Sequence, residues 1–100
     1  MSRLKVIWLN KSKDQLKAIY NHYKLVSPQG AKGIKDAIFL KGGRELVFAK
    51  QYQQDEIEPE FRRIIVKHYK LIYTIEEETI WILRIFDTRM SPQNQFNDKE

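Results

Sequence analysis

The sequence has no cysteine, only four glycines and three prolines, and no long hydrophobic run in its 100 residues. Without cysteine, disulfide scaffolds, Cys-ligated zinc sites and thiol nucleophiles are all excluded, which suits a reducing cytosol. The glycines, at 30, 33, 42 and 43, match no phosphate-cradling spacing, so ATP or NAD chemistry has no support and no cofactor is expected. The apolar stretches are no longer than a strand. Neither a signal peptide nor a membrane span is therefore expected, and the location read from this is cytoplasmic. Glu76-Glu77-Glu78 would need converging ligands from elsewhere to hold a metal, and no metal is expected. A solvated turn that discourages sheet aggregation accounts for the three glutamates better.

What is present is a chain of ordinary globular composition, 42% hydrophobic and 31% charged, with an uneven net charge of +5. Residues 1–50 hold eleven Lys and Arg against three acids, while residues 51–100 hold seven against ten. A basic half fits a nucleic-acid or acidic-protein partner. It fits solvated helix faces equally well. Residues 1–92 are expected to form one domain and 93–100, with its Gln, Asn, Asp and Glu, a flexible tail.

Arg3–Leu9, rich in Leu, Val, Ile and Trp, reads as a short buried strand. Ser12-Lys13-Asp14-Gln15 has the capping-box pattern, and Leu16, Ile19, Tyr20, Tyr23 and Val26 follow at helical spacing. Ser27-Pro28 ends this helix and starts a second, because proline disfavours helix in the residue before it yet suits a first turn. Ala31, Ile34, Ala37, Ile38 and Leu40 give the second stripe, and Gly42-Gly43 a stop. Gly30 and Gly33 weaken its start. Two helices so closely joined form an antiparallel hairpin. Leu46, Val47 and Phe48 continue a helix or begin an extended run, and residues 51–59 read as a loop. Phe61–Lys67, Tyr69–Ile75 and Thr79–Phe86 are then three runs dense in β-branched and aromatic residues, separated by short connections, as in an antiparallel meander. The expected fold is α+β, in the order β-α-α-β-β-β, with the helical hairpin packed on a small, mainly antiparallel sheet.

The length of the last turn decides which charges cluster. A two-residue turn at Glu77-Glu78 sets Leu71 opposite Arg84; a loop of all three glutamates sets Lys70 opposite Arg84. The second register is preferred, because Leu71, Tyr73, Ile75, Trp81, Leu83 and Ile85 then line one face for the helices, and Lys70 and Arg84 share the other.

Phe61-Arg62-Arg63-Ile64-Ile65-Val66, Tyr69-Lys70-Leu71-Ile72-Tyr73 and Ile80-Trp81-Ile82-Leu83-Arg84-Ile85-Phe86-Asp87-Thr88-Arg89 together resemble the strands of the RelE/ParE toxin superfamily of type II toxin–antitoxin and plasmid-stabilisation systems. The resemblance implies a toxin domain neutralised by a cognate antitoxin. RelE-like members enter the ribosome and cut mRNA without a metal, whereas ParE-like members poison DNA gyrase.

A RelE-like nuclease needs cations for the phosphorane and groups that move protons. The resemblance implies Arg62 and Arg84 as the phosphate-stabilising pair, with Lys70 or Lys67 assisting. The plain reading of these arginines is partly exposed sheet residues packing their stems on Ile82 or Ile64. His68 is the nearby candidate for proton transfer, although a histidine in a strand connection is more often simply solvated. The sequence after Arg89 offers neither the Tyr nor the His that many such nucleases place there, and Asp87-Thr88-Arg89 followed by Pro92 is similar to ParE-type sequences. The expectation is therefore a ParE-like toxin that inhibits growth by binding DNA gyrase through Arg62, Arg84 and Arg89. A ribosome-dependent mRNA endonuclease is the first alternative, and a basic nucleic-acid-binding domain the second. His22, Tyr20, Tyr23, Trp8 and Trp81 are read as structural.

Overall fold

The computed structural model describes residues 5–43, 54–91 and 95. Within them lie β1 (Lys5–Trp8), α1 (Asn10–Lys24), α2 (Pro28–Gly43), β2 (Arg62–Val66), β3 (Tyr69–Glu76) and β4 (Thr79–Asp87). The four strands form one sheet in the order β1-β4-β3-β2. β1 runs parallel to β4, and the other pairings are antiparallel. The α+β architecture expected from the sequence is thus the observed one.

The hairpin packs on one face of the sheet. Leu16 of α1 and Ile38 of α2 meet Ile64, Leu71, Tyr73 and Ile82 in a common core, with Ile19, Tyr23, Ile34 and Ala37 packed against it. The two helical stripes run as their spacing predicts, except at Tyr20, which is half-buried beside the core, and at the ends. α1 stops at Lys24, so Val26 falls in the interhelical turn and is 83% exposed; Leu40 is also exposed. Ser27 caps α2, accepting a 3.1 Å bond from the Gly30 amide. A side chain at position 30 would crowd that hydroxyl, so the glycine there serves the cap.

The expected capping box is not formed. α1 begins at Asn10, and its N-cap position, Leu9, provides no side-chain cap. Ser12 lies inside the first turn, where its buried hydroxyl donates to the Leu9 carbonyl at 2.7 Å. Gln15 faces the sheet instead: its Oε1 accepts the Ile85 amide at 2.6 Å. The reason is the length of β1, which covers β4 only from Thr79 to Ile82. Beyond that point an amide on the outer edge of β4 needs another acceptor, and the helix supplies it.

The β3–β4 connection corrects the preferred register. Glu76 pairs with Thr79, so the turn has two residues, Glu77 and Glu78, both at positive φ. A β-bulge then intervenes: Tyr73 pairs with Ile82, but Ile72 pairs with Arg84, leaving Leu83 as an extra residue in β4. The bulge changes which residues point inward. Ile80, Ile82 and Ile85 face the helices, not Trp81 and Leu83, which are half-buried. Lys70 and Arg84 still share the opposite face, offset by one pair, because Lys70 pairs with Phe86.

Residues 44–53, including Leu46, Val47 and Phe48, lie outside the described residues. From Gln54 the chain is a compact connection bridged to Arg62. The Asp55 amide donates to the Phe61 carbonyl and the Phe61 amide to the Glu58 carbonyl, at 2.8 and 2.9 Å. Asp55 Oδ2 accepts the amides of Ile57 and Glu58. This local bonding turns both acidic side chains onto the sheet.

Candidate functional site

The face of the sheet turned away from the helices carries the most concentrated chemistry. Cross-strand partners share a face, so Arg63, Ile72 and Arg84 form one row and Ile65, Lys70 and Phe86 the next. Lys70 and Arg84 are nevertheless only 4% and 5% exposed, because Asp55, Glu58 and Gln95 lie over them, each fully buried. Lys70 Nζ donates to Asp55 Oδ1 at 2.6 Å and to Gln95 Oε1 at 2.7 Å. Arg84 is ion-paired with Glu58. The Gln95 amide nitrogen donates to both carboxylates, to Asp55 Oδ2 and Glu58 Oε1, at 2.7 Å each. Arg63, at the partly open rim, comes within 3.9 Å of Asp55. Burial pushes the Asp55 carboxyl upward, but the hydrogen bonds from Lys70, Gln95 and the Glu58 amide, with the Lys70 charge, outweigh it and hold the group below its ordinary value.

The residues expected to serve cleavage are therefore divided. Lys70 and Arg84 are brought together, but as members of an internal charge network. Arg62 pairs with Tyr73 of the core face and so points away from Arg84. His68 sits with Lys67 in the two-residue β2–β3 turn, with its Nε2 3.2 Å from the Tyr23 hydroxyl and its ring 4.1 Å from that of Tyr69. Its carbonyl also accepts the Thr88 amide and hydroxyl. Tyr69 is buried, and burial, with a hydrogen bond to Tyr23, pushes its hydroxyl above the ordinary phenol range. No geometry in the described residues brings Arg62, Arg84 and His68 to one point.

Arg89 stands apart. Its guanidinium bonds the Asp87 carboxylate through Nε and one terminal nitrogen, at 3.1 and 2.9 Å, yet the side chain remains 62% exposed. That bond is the main cause holding the Asp87 carboxyl below its ordinary value. Both residues line a groove of about 380 Å³ between α1 and the end of β4, with Gln15, Ile19, His22 and Met90 on its other walls. A second groove, of about 340 Å³, opens between the helices and β1. Its floor is Trp8, Leu16, Tyr20 and Phe39, and three lysines, Lys13, Lys17 and Lys35, stand around it. Trp8 and Phe39 are in ring contact there at 5.4 Å, and Lys35 lies over the Tyr20 ring.

Among the described residues no group of His, Asp and Glu is placed to hold a metal ion, and no helix is long and apolar enough to cross a membrane. Asp55, Glu58 and Gln95 are absent from the sequence-based expectations. The one local signal was the Asp55-x-x-Glu58 spacing, which is that of a side-chain-capped turn. Gln95 lies in the segment expected to be a loose tail, and the residues on either side of it are outside the described ones.

Residues 6–92 match the family model of the ParE toxin of the parDE type II toxin–antitoxin system. No curated protein matches the chain significantly. Among solved structures, it is similar to a chain of the chromosomal ParDE system from P. aeruginosa, at 24% identity and a TM-score of 0.74, over 85% of this chain and 96% of the other. It is also similar to a chain of the RelBE2 toxin–antitoxin complex from Mycobacterium tuberculosis, at 17% identity and a TM-score of 0.64, over 87% and 93%. At such identities these structures attest the fold alone.

Proposed function

The chain belongs to the ParE toxin family of type II toxin–antitoxin systems, and from that premise we propose that it inhibits growth by binding a protein target and not by cutting RNA. DNA gyrase is the target that the family resemblance implies, and a cognate antitoxin neutralises the toxin. One observation carries the choice between the two mechanisms. Of the cations that in-line cleavage would draw on, Arg84 and the assisting Lys70 are engaged by Glu58 and Asp55 in the interior. Metal-independent cleavage depends on cations free to meet the phosphorane and on a proton-transfer group beside them. Arg62 and His68 are elsewhere. Arg89, by contrast, offers an exposed guanidinium on the rim of a groove.

The antitoxin reading has its own support in the surface. A groove with an apolar floor and three lysines around it suits an acidic amphipathic segment. The toxin acts in the cytoplasm, where gyrase and the antitoxin are found.

Induced expression with two early readouts tests the mechanism. The expected result is growth arrest with a DNA-damage response and intact transcripts, together with inhibition of supercoiling by purified gyrase, both lost in Arg89→Ala. Ribosome-dependent transcript cleavage preceding any DNA damage would overturn the protein-binding reading and restore the endonuclease. A small acidic open reading frame beside this one, whose product rescues growth and forms a stable complex, is the expected antitoxin.

A further inference from the structure

Asp87 and Arg89 are tied together more closely than an exposed ion pair requires. Asp87 Oδ1 accepts both the backbone amide of Arg89, at 2.9 Å, and its Nε, at 3.1 Å, while Oδ2 accepts a terminal nitrogen at 2.9 Å. One carboxylate thus fixes the main chain and the side chain of the same residue. The turn that carries the pair is pinned as well. The Met90 amide donates to the Asp87 carbonyl at 3.0 Å, and the Thr88 amide and hydroxyl donate to the His68 carbonyl at 2.8 and 2.7 Å. Stability does not account for so many ties, because an ion pair with its arginine mostly exposed is worth little in water.

The geometry decides which part of the guanidinium is offered. A side-on pair through Nε and one terminal nitrogen occupies one edge of the planar fork. The end-on edge, with one N–H from each terminal nitrogen, is turned away from Asp87 because the group is rigid and planar. The Tyr23 hydroxyl stands near the guanidinium as a weaker partner. The pair also decides the charge on offer. With its carboxylate in contact, Arg89 presents no net charge to a molecule approaching the groove beside α1. An incoming carboxylate meets attraction from Arg89 and repulsion from Asp87 together. An uncharged carbonyl oxygen meets the same two N–H donors without that repulsion.

We propose that Asp87 is a positioning residue for target recognition: it turns Arg89 from a point charge into a directional hydrogen-bond fork that selects a carbonyl oxygen of the partner protein over a carboxylate. The proposal rests on the protein-target reading, in which Arg89 makes the contact.

The test is inhibition of supercoiling by purified gyrase, titrated with the full chain and its variants. Arg89→Ala should raise the half-inhibitory concentration about thirtyfold, a loss that higher doses still measure. Arg89→Lys, which keeps the charge and loses the fork, should be nearly as poor. Asp87→Ala should raise the value about fivefold, yet add less than about twofold in the Arg89→Ala background, because it acts through Arg89. Between about 50 and 300 mM salt the ratio of Arg89→Ala to wild type should move less than about twofold, since no net charge is read. Inhibition retained by Arg89→Lys, a ratio that collapses at high salt, wild-type inhibition by Asp87→Ala, or an Asp87→Ala effect of equal size with and without Arg89 each overturns the proposal and leaves the target reading standing. Full inhibition by Arg89→Ala overturns both. Circular dichroism reports whether each variant is folded; if Asp87→Ala is not, Asp87→Asn, which keeps one acceptor oxygen, is read in its place. A wild type without effect on gyrase overturns that target, and the same variants are then read by growth arrest on induced expression, where Arg89→Lys and the two Asp87→Ala backgrounds give the same decision. No arrest by the wild type overturns both.

Discussion

Arg62 and Arg84 point to opposite faces of the same sheet, because their partners on β3, Tyr73 and Ile72, are consecutive residues. Two arginines that resemble a functional pair in sequence thus have different surroundings. Arg84 is ion-paired with Glu58 in the interior, while Arg62 is half-buried at the start of β2. Arg84→Ala leaves Glu58 buried without its guanidinium and is expected to cost about 3–5 kcal/mol, whereas Arg62→Ala should cost about 1 kcal/mol. Urea denaturation of both variants checks the difference. Equal losses would show that Arg84 is not held as described.

Acid should act through Asp55. Its folded-state carboxyl is held below the ordinary 3.8, so the stability it contributes is present above that value and is lost as pH falls through the lower folded value. Between pH 7 and 5 the midpoint of unfolding should therefore not change on this account. Below pH 4 it should drop, and Asp55→Asn should flatten that limb while lowering stability at pH 7. Urea midpoints across pH 2–7 give both quantities.

Gln15 and Ser12 exchange the importance that a capping box would assign them. Gln15→Ala deprives the Ile85 amide of its acceptor and should cost about 1–2 kcal/mol. Ser12→Ala removes a donor from a Leu9 carbonyl that also accepts the Lys13 amide, and should cost about 0.5 kcal/mol or less. Thermal unfolding of the two variants side by side settles the order.

The β3–β4 turn is built from residues poorly suited to it. Glu77 and Glu78 hold φ of 50° and 62°, a region that costs an ordinary L-residue roughly 1 kcal/mol or more. Asn-Gly is the favoured pair for a two-residue hairpin of this hand. Glu77→Asn/Glu78→Gly is expected to raise stability by about 1–2 kcal/mol without changing growth inhibition. An unchanged or lower melting temperature would mean that the glutamates make compensating contacts.

The order of elements was legible because each signal was local. Helical spacing in 16–38, a proline at the start of α2 and three β-rich runs after Phe61 require no knowledge of distant residues. What escaped was every feature that depends on two places at once. Ser12-x-x-Gln15 reads as a cap until the short β1 leaves the Ile85 amide without a strand, and Gln15 answers that need. Lys70 and Arg84 were correctly assigned to one face, but through a turn of the wrong length, since a bulge supplies the same change of parity. The network over them was invisible because its acids lie 15 and 26 residues from their cations, in a stretch without periodicity, and Gln95 lies in a polar tail. The same distance explains why Arg62 seemed the natural companion of Arg84: adjacency in a family pattern carries no information about faces.

The bulge at Leu83 means that β4 carries one residue more than its neighbour requires. Tyr73 and Ile72 are consecutive on β3, yet their partners, Ile82 and Arg84, are not. The surplus makes this point of the chain indifferent to length in one direction only. A relative lacking residue 83 would straighten the strand and keep the same residues face to face, with Arg84 still over Ile72. At this one point β4 can therefore be a residue shorter without moving the Arg84 charge off the outer face.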